Sequence, residues 1–231
     1  MDPQTLFGGQ KMMTGGIRMK RIVALLGDYY HPKDWSKASL NKALTLLETI
    51  ECKVIHTDEI LEELSKKPDA VILFKEDRLN PTDENVETWM TEELAEAIVQ
   101  YVNQGGGWLA WHSGLASYSI DSSYTKMLRG HFEYHPVEHA QVKYTSLEGK
   151  ELFGSVTFEI LDEHYFVKVD EEHTNVFLKS KSVDGHSIGG WSHDFGEGRV
   201  CCLTPAHNEE GLVHEDFIQV LANTIKWVSG T

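Results

Sequence analysis

Four short apolar runs, each the length of a single strand, mark the first half of this chain: residues 21–27 (RIVALLG), 53–57 (KVIHT), 70–74 (AVILF) and 108–111 (WLAW). A run apolar on both alternations is how a strand reads when helices cover both faces of a parallel sheet. Helical patterns lie between them. One starts near Asp34, with Leu40, Ala43, Leu44 and Leu47 on a common face. Another is capped by Thr91, carries Leu94, Ala97, Ile98, Tyr101 and Val102 as its apolar stripe, and stops at Gly105. Strand and helix in this alternation predict right-handed βαβ units around a parallel sheet.

The texture changes after about His135. Residues 141–145, 156–160, 164–169, 176–180 and 188–191 read as strands joined by short turns, an antiparallel or mixed section that is an insertion or an extension packed beside the parallel core. Residues 199–203 are expected to return to the main sheet, and 214–228 form a last helix with Phe217, Val220, Leu221, Ile225 and Val228 on one face. No repeat or linker interrupts the pattern. The expected architecture is one α/β domain over 20–231, a flavodoxin/Rossmann-like parallel sheet flanked by helices, with the additional strands in its C-terminal half. Residues 1–19 hold Gly8, Gly9, Gly15 and Gly16 and no continuous apolar stretch. They read as a disordered leader, added residues or an upstream start ahead of Met19, and not as a signal peptide.

With 41% apolar residues in 231, the chain can bury a sizeable core without staples. No apolar run approaches the roughly 20 residues that span a bilayer. The formal charge of −15 repels phosphate backbones and anionic membranes, so neither nucleic acid nor membrane is an expected partner. Three cysteines, Cys52 alone and Cys201 beside Cys202, lack the spacing of a disulfide framework or a thiolate zinc site. They read as buried free thiols in a cytoplasmic protein.

The strongest local signal is GGGWLAWHSG, residues 105–114. A strand that ends in a small polar pair and turns sharply delivers side chains to the carboxyl edge of a parallel sheet, where ligands of open α/β folds bind. The turn is similar to a nucleophile elbow, but its apex is His112 or Ser113 and no cysteine stands there. Cys-His glutamine hydrolysis is thereby unsupported. Ser113 serves as an acyl nucleophile or, more simply, caps a following helix. The GEGR segment, 196–199, precedes a strand instead of a helix and reads as a hairpin turn, not a phosphate loop.

Five motifs in order carry a family resemblance: the Gly-rich turn into His112-Ser113; GHFEYHP with His135; LDEHY with Asp162, Glu163 and Tyr165; GGWSHDFGEGRV with Trp191 and Arg199; and the strand that ends near His207. Together they resemble the ThuA-like (trehalose-utilisation) family from about Lys20 to Val228. The sequence departs from the family pattern at Ala206, at His193, and over 146–154 (SLEGKELFG). The resemblance implies a class I glutamine amidotransferase-like, flavodoxin-type fold without the amidotransferase cysteine. It also implies that His112, His135, Glu163 and His207 share one sheet edge, with Tyr165 and His193 nearby.

Of the adjacent Asp162 and Glu163, only one is expected to enter the site, and Glu163 is preferred. Three uses of the set stay open: ligands for zinc or manganese with an open position, a metal-free acid–base set, or hydrogen-bonding posts at strand ends. His131, His139, His164, His173, His186 and His214 are expected at the surface. Tyr118, Tyr134, Trp108, Trp111 and Trp191 flank the expected site, since a sugar's flat apolar face suits an aromatic platform, and Ser113 is a further candidate for substrate binding.

The expected function is acid–base chemistry on a disaccharide or its keto derivative, with His112 or Glu163 as base and His207 polarising a carbonyl or protonating a leaving oxygen. The alternatives are a non-catalytic sugar-binding or sensing module and a metal-dependent hydrolase. A homo-oligomer is a base-rate expectation.

Overall fold

The computed structural model describes residues 18–149 and 153–230. The leader expected over 1–19 lies almost wholly outside them, as do residues 150–152 of the departing SLEGKELFG segment. Strands β1 (Lys20–Leu26), β2 (Ile50–Ile55), β3 (Ala70–Phe74) and β4 (Gly107–Trp111) answer the four apolar runs. Only β2 is displaced from its expected bounds of 53–57. It is an edge strand with Glu51 and Lys53 exposed, so its polar residues do not look like strand from sequence alone.

Helices α1 (Lys33–Thr45), α2 (Ile60–Ser65) and α3 (Glu92–Asn103) make the crossovers between these strands. Thr91 accepts a hydrogen bond from the Leu94 amide, as a capping residue should. At the other end of α3, Gly105 takes φ +112°, in the left-handed region that favours glycine.

β5 (Gly130–Tyr134) and β8 (Phe166–Val169) form a small antiparallel ribbon, and β5 has no counterpart among the sequence expectations. β6 (Ala140–Ser146), β7 (Thr157–Asp162), β9 (Asn175–Ser182), β10 (Gly185–Phe195) and β11 (Gly198–Leu203) complete the strands. They join one nine-stranded sheet in the order β2-β1-β3-β4-β11-β10-β9-β6-β7. From β2 to β11 the neighbours are parallel; from β11 to β7 they are antiparallel. Of an insertion and an extension, the C-terminal strands are the extension: they continue the main sheet with antiparallel pairing.

Side-chain alternation divides the core into two layers. Ile22, Ile72, Trp111 and Cys201 face α1 and the last helix, α6 (Glu215–Ser229), where Phe217, Leu221 and Ile225 meet them. Val23, Val71, Trp108 and Cys202 face α3 and the short α4 (Ser123–Leu128), through Ile98, Val102, Tyr124 and Met127. Both Trp108 and Trp111 are fully buried, so neither offers a platform to a ligand. The cysteines are free thiols, and burial pushes Cys52 up to about 12 and Cys201 and Cys202 well above the ordinary range. Among the described residues, no helix is long and apolar enough to cross a membrane.

Candidate active site

Strand order reverses between β1 and β3, and such a switch point opens a crevice beyond the carboxyl ends of the strands. Each strand that reaches the crevice brings polar groups to it. After β1, Gly27 takes φ +85°, and a side chain there would press on Lys33. The turn carries Asp28, whose Oδ1 accepts from the amides of Tyr30 and His31 and lies 2.6 Å from His31 Nδ1. Its Oδ2 accepts from the amide of Glu76, at the end of β3. Burial opposes ionisation of Asp28, yet His31 and these amides outweigh it and hold the carboxyl at about 2.

At the end of β4 the chain turns at His112 with φ +46°, a left-handed conformation uncommon outside glycine and asparagine. Gly114 makes this turn fit, because a Cβ there would collide with the carbonyl of Leu73 in β3. His112 is fully buried. Its Nδ1 lies 2.6 Å from the Thr204 carbonyl oxygen just beyond β11. A carbonyl only accepts, so Nδ1 carries the proton and Nε2 presents a lone pair. Tyr165 stacks on the His112 ring at 4.2 Å between centroids.

His207 follows β11, with its amide donating to Asp162 Oδ1 at 2.7 Å; Asp162 also accepts from the Tyr144 hydroxyl. Asp162 is thus a buried post behind the site, and burial raises its pKa. Its neighbour Glu163 enters the site, the division expected of adjacent residues at a strand end. Glu163 Oε2 lies 3.3 Å from His207 Nδ1 and 3.6 Å from His112 Nε2, while Oε1 lies 3.3 Å from His135 Nε2.

Burial works against the charge on Glu163, but the imidazoles of His112 and His207 hold its carboxyl far below the usual range. Burial likewise lowers His207, and Glu163 more than compensates, so its pKa rises. His112 is dominated by burial and falls, which favours its neutral form.

A pocket of about 390 Å³ opens over this cluster, lined by Tyr30, His31, Glu76, Arg78, Phe132, His135, Glu163, Tyr165 and His207 among others. That is within the range of small-molecule sites. Glu76 is buried; its Oε2 accepts from Arg78 Nε and the Ser117 hydroxyl, while its Oε1 has no hydrogen-bond partner. A larger depression of about 700 Å³ lies at the opposite, amino edge of the sheet around Lys20, Asp69 and Gly105. It holds an ion pair and no histidine in its lining, so the smaller pocket is the candidate site.

Of the residues expected here, His112, His135, Glu163, Tyr165 and His207 come together. Four others do not reach the pocket. Tyr118 is buried in the second core layer, with its hydroxyl donating to the Lys75 carbonyl. Trp191 is fully buried and donates from Nε1 to Leu128. His193, on the same strand, has Nε2 on the Met127 carbonyl, and burial pulls its pKa down to about 4. Ser113 is sealed inside the turn; it neither caps a helix nor reaches a ligand, and α4 is capped by Ser122 instead. His164, expected at the surface, is also buried, between the hydroxyls of Ser180 and Ser182.

Three members escaped the sequence reading: His31, Glu76 and Arg78. All follow the carboxyl ends of β1 and β3, so the sheet-edge rule that singled out His112 after β4 would have found them.

The ThuA family profile, described as trehalose utilisation, matches residues 26–228. No curated protein matches the sequence. A solved ThuA-like protein from Parabacteroides merdae superimposes with a TM-score of 0.70 at 13% identity, over 92% of this chain and 90% of that one. A glutamine amidotransferase from Thermotoga maritima does so at 0.54 and 9% identity, over 93% of this chain and 100% of its own. A cold-adapted β-galactosidase from a Rahnella species contains the same fold, with a TM-score of 0.61 and 16% identity, over 90% of this chain but only 32% of the larger one. With a profile match over most of its length and the amidotransferase-like fold expected of it, the chain belongs to the ThuA family.

Proposed function

We propose that this pocket takes a sugar, a disaccharide or its keto derivative, and that the protein is a cytoplasmic enzyme that moves a proton next to the sugar's carbonyl. The observation that carries the proposal is the convergence of His112, His207 and Glu163 at the base of a pocket that also offers His135 at its rim. His135 is the most exposed of the four and pairs with Glu163 Oε1, so we assign the proton transfer to the His135 imidazole, with ionised Glu163 orienting it and stabilising the imidazolium that forms. His207 and its neighbours polarise the carbonyl oxygen, which gains negative charge as the carbon gives up its proton. His112, sealed and tied to Thr204, acts on the sugar through these partners; the base role expected for it passes to His135, with Glu163 behind it.

The walls suit the same ligand. Half-buried Phe132 offers aromatic surface, with buried Tyr165 behind it, and Arg78 brings donors held in place by Glu76. Glu76 Oε1 is an acceptor without a donor, which a sugar hydroxyl would supply.

The test is incubation of the purified protein with a keto-disaccharide, with product followed by NMR and binding by calorimetry. Turnover that falls about 100-fold or more in Glu163→Gln while binding persists supports the proposal. Micromolar binding without turnover would instead make the protein a sugar-sensing module. Neither binding nor turnover would remove the sugar.

A further inference from the structure

We infer that His31 Nε2, His112 Nε2, His207 Nδ1 and Glu163 Oε2 form a binding site for one divalent transition-metal ion at the floor of the pocket. The inference deepens the reading of this pocket as the functional site and rests on it.

Geometry comes first. One ligand atom from each of the four residues lies within 4.8 Å of all the others. Three of these atoms make a nearly regular triangle: His112 Nε2 to His207 Nδ1 is 3.3 Å, His207 Nδ1 to Glu163 Oε2 is 3.3 Å, and His112 Nε2 to Glu163 Oε2 is 3.6 Å. Ligands bound at about 2.0–2.1 Å around a tetrahedral zinc ion stand about 3.3–3.4 Å apart, so this triangle already has the edge length of a coordination face.

The protons come second. His112 Nδ1 faces a carbonyl, so its proton is there and Nε2 is bare. His31 Nδ1 faces the carboxylate of Asp28, which turns Nε2 toward the cluster, where it is buried without a hydrogen-bond partner. Two imidazole Nε2 atoms, His207 Nδ1 and a carboxylate oxygen thus converge, and His31 Nε2 among them has no hydrogen-bond partner. A buried acceptor without a donor is costly, and a cation satisfies every one of these lone pairs at once.

The outer contacts are those of a metal site as well. A ligating histidine commonly donates its other ring nitrogen to a carboxylate or a backbone carbonyl, which fixes its tautomer and aim. Asp28 does this for His31 and Thr204 for His112. Mostly imidazole with one carboxylate suits zinc, manganese and their neighbours in the first transition row rather than calcium or magnesium. His31, Glu163 and His207 line the pocket, so a ligand entering there meets the ion from its open side. A vicinal hydroxyl and carbonyl of a sugar would bind it as a Lewis acid.

The experiment is elemental mass spectrometry of protein purified without a histidine tag, followed by chelator stripping and titration with zinc, manganese and cobalt. The expected result is about one zinc or manganese ion per chain, a rise in melting temperature on readdition, and visible absorption from bound cobalt. His31→Ala and Glu163→Gln should each weaken binding at least about 10-fold, and His173→Ala, on an exposed turn away from the pocket, should not. If either variant fails to fold, the thermal shift and cobalt absorption of the stripped wild type still decide the matter. Substoichiometric metal as purified, with no thermal shift and no cobalt absorption at a large excess of ion, would overturn the inference. Because no sugar enters this measurement, that failure would leave the sugar proposal standing, and a bound metal with no response to any sugar would do the reverse.

Discussion

At the scale of single residues, the site is organised by neighbours that fix imidazole tautomers. Thr204 decides which nitrogen of His112 faces the pocket, and Asp28 does the same for His31. The sequence revealed the residue types but not these partners, which lie 92 and three positions away. His112 drew attention because its strand and turn are contiguous. His31 did not, because nothing in a Tyr-Tyr-His-Pro string shows that its ring will meet His112 at 5.1 Å between centroids. A different residue carries a pH signature. Asp77, beside the pocket wall, is pushed up to about 6, chiefly by burial. Its folded-state pKa lies above the unfolded value, so the folded chain holds the proton more tightly. Stability from this group is lost as pH rises from about 4 to about 6 and is flat above. With partial solvent access discounted, ionisation costs about 1–2 kcal/mol. Urea unfolding of Asp77→Asn, which can keep the acceptor for the Met90 amide, should show that loss removed. An unchanged difference between acid and neutral pH would contradict it.

At the scale of elements, the turn after β4 and the helix before it are the parts most dependent on local sequence. Gly114 lies against the Leu73 carbonyl, so Gly114→Ala should displace His112 and lower turnover more than it lowers melting temperature. Comparing the two measurements separates a positioning effect from unfolding. Thr91→Ala should cost about 1 kcal/mol through the lost cap of α3, and Ile98→Ala about 2–5 kcal/mol through the cavity left between α3 and the sheet, both read by denaturant unfolding. These elements were legible because their periodicity, cap and stop signals agree. β5 was not, because GHFEY has exposed Glu133 and Tyr134 and takes its shape from β8, more than thirty residues on.

At the scale of the whole molecule, the parallel half could be read from sequence because βαβ units are local. The antiparallel half could be read as strands, but not whether they extend the main sheet or form an insertion, since β6 pairs with β9 across the intervening β7 and β8. That continuity matters for function. It swings the end of β7 back over β11, so that Asp162 holds the His207 amide and Glu163 reaches the histidines. The aromatic residues misled for the same reason: Trp191 looks like a platform in a strand and becomes core once β10 sits inside a nine-stranded sheet. The fold thus gathers the ends of β1, β3, β4, β7 and β11 over one pocket, for which we propose proton transfer beside a sugar carbonyl. The direct measurement of that task is deuterium incorporation, by proton NMR, at the carbon next to the carbonyl of a keto-disaccharide incubated with the protein in heavy water. Exchange that is faster with wild type than without protein, and about 100-fold slower in Glu163→Gln, is the expected result. A bound keto-disaccharide whose neighbouring carbon keeps its hydrogen as long as it does in buffer would contradict it.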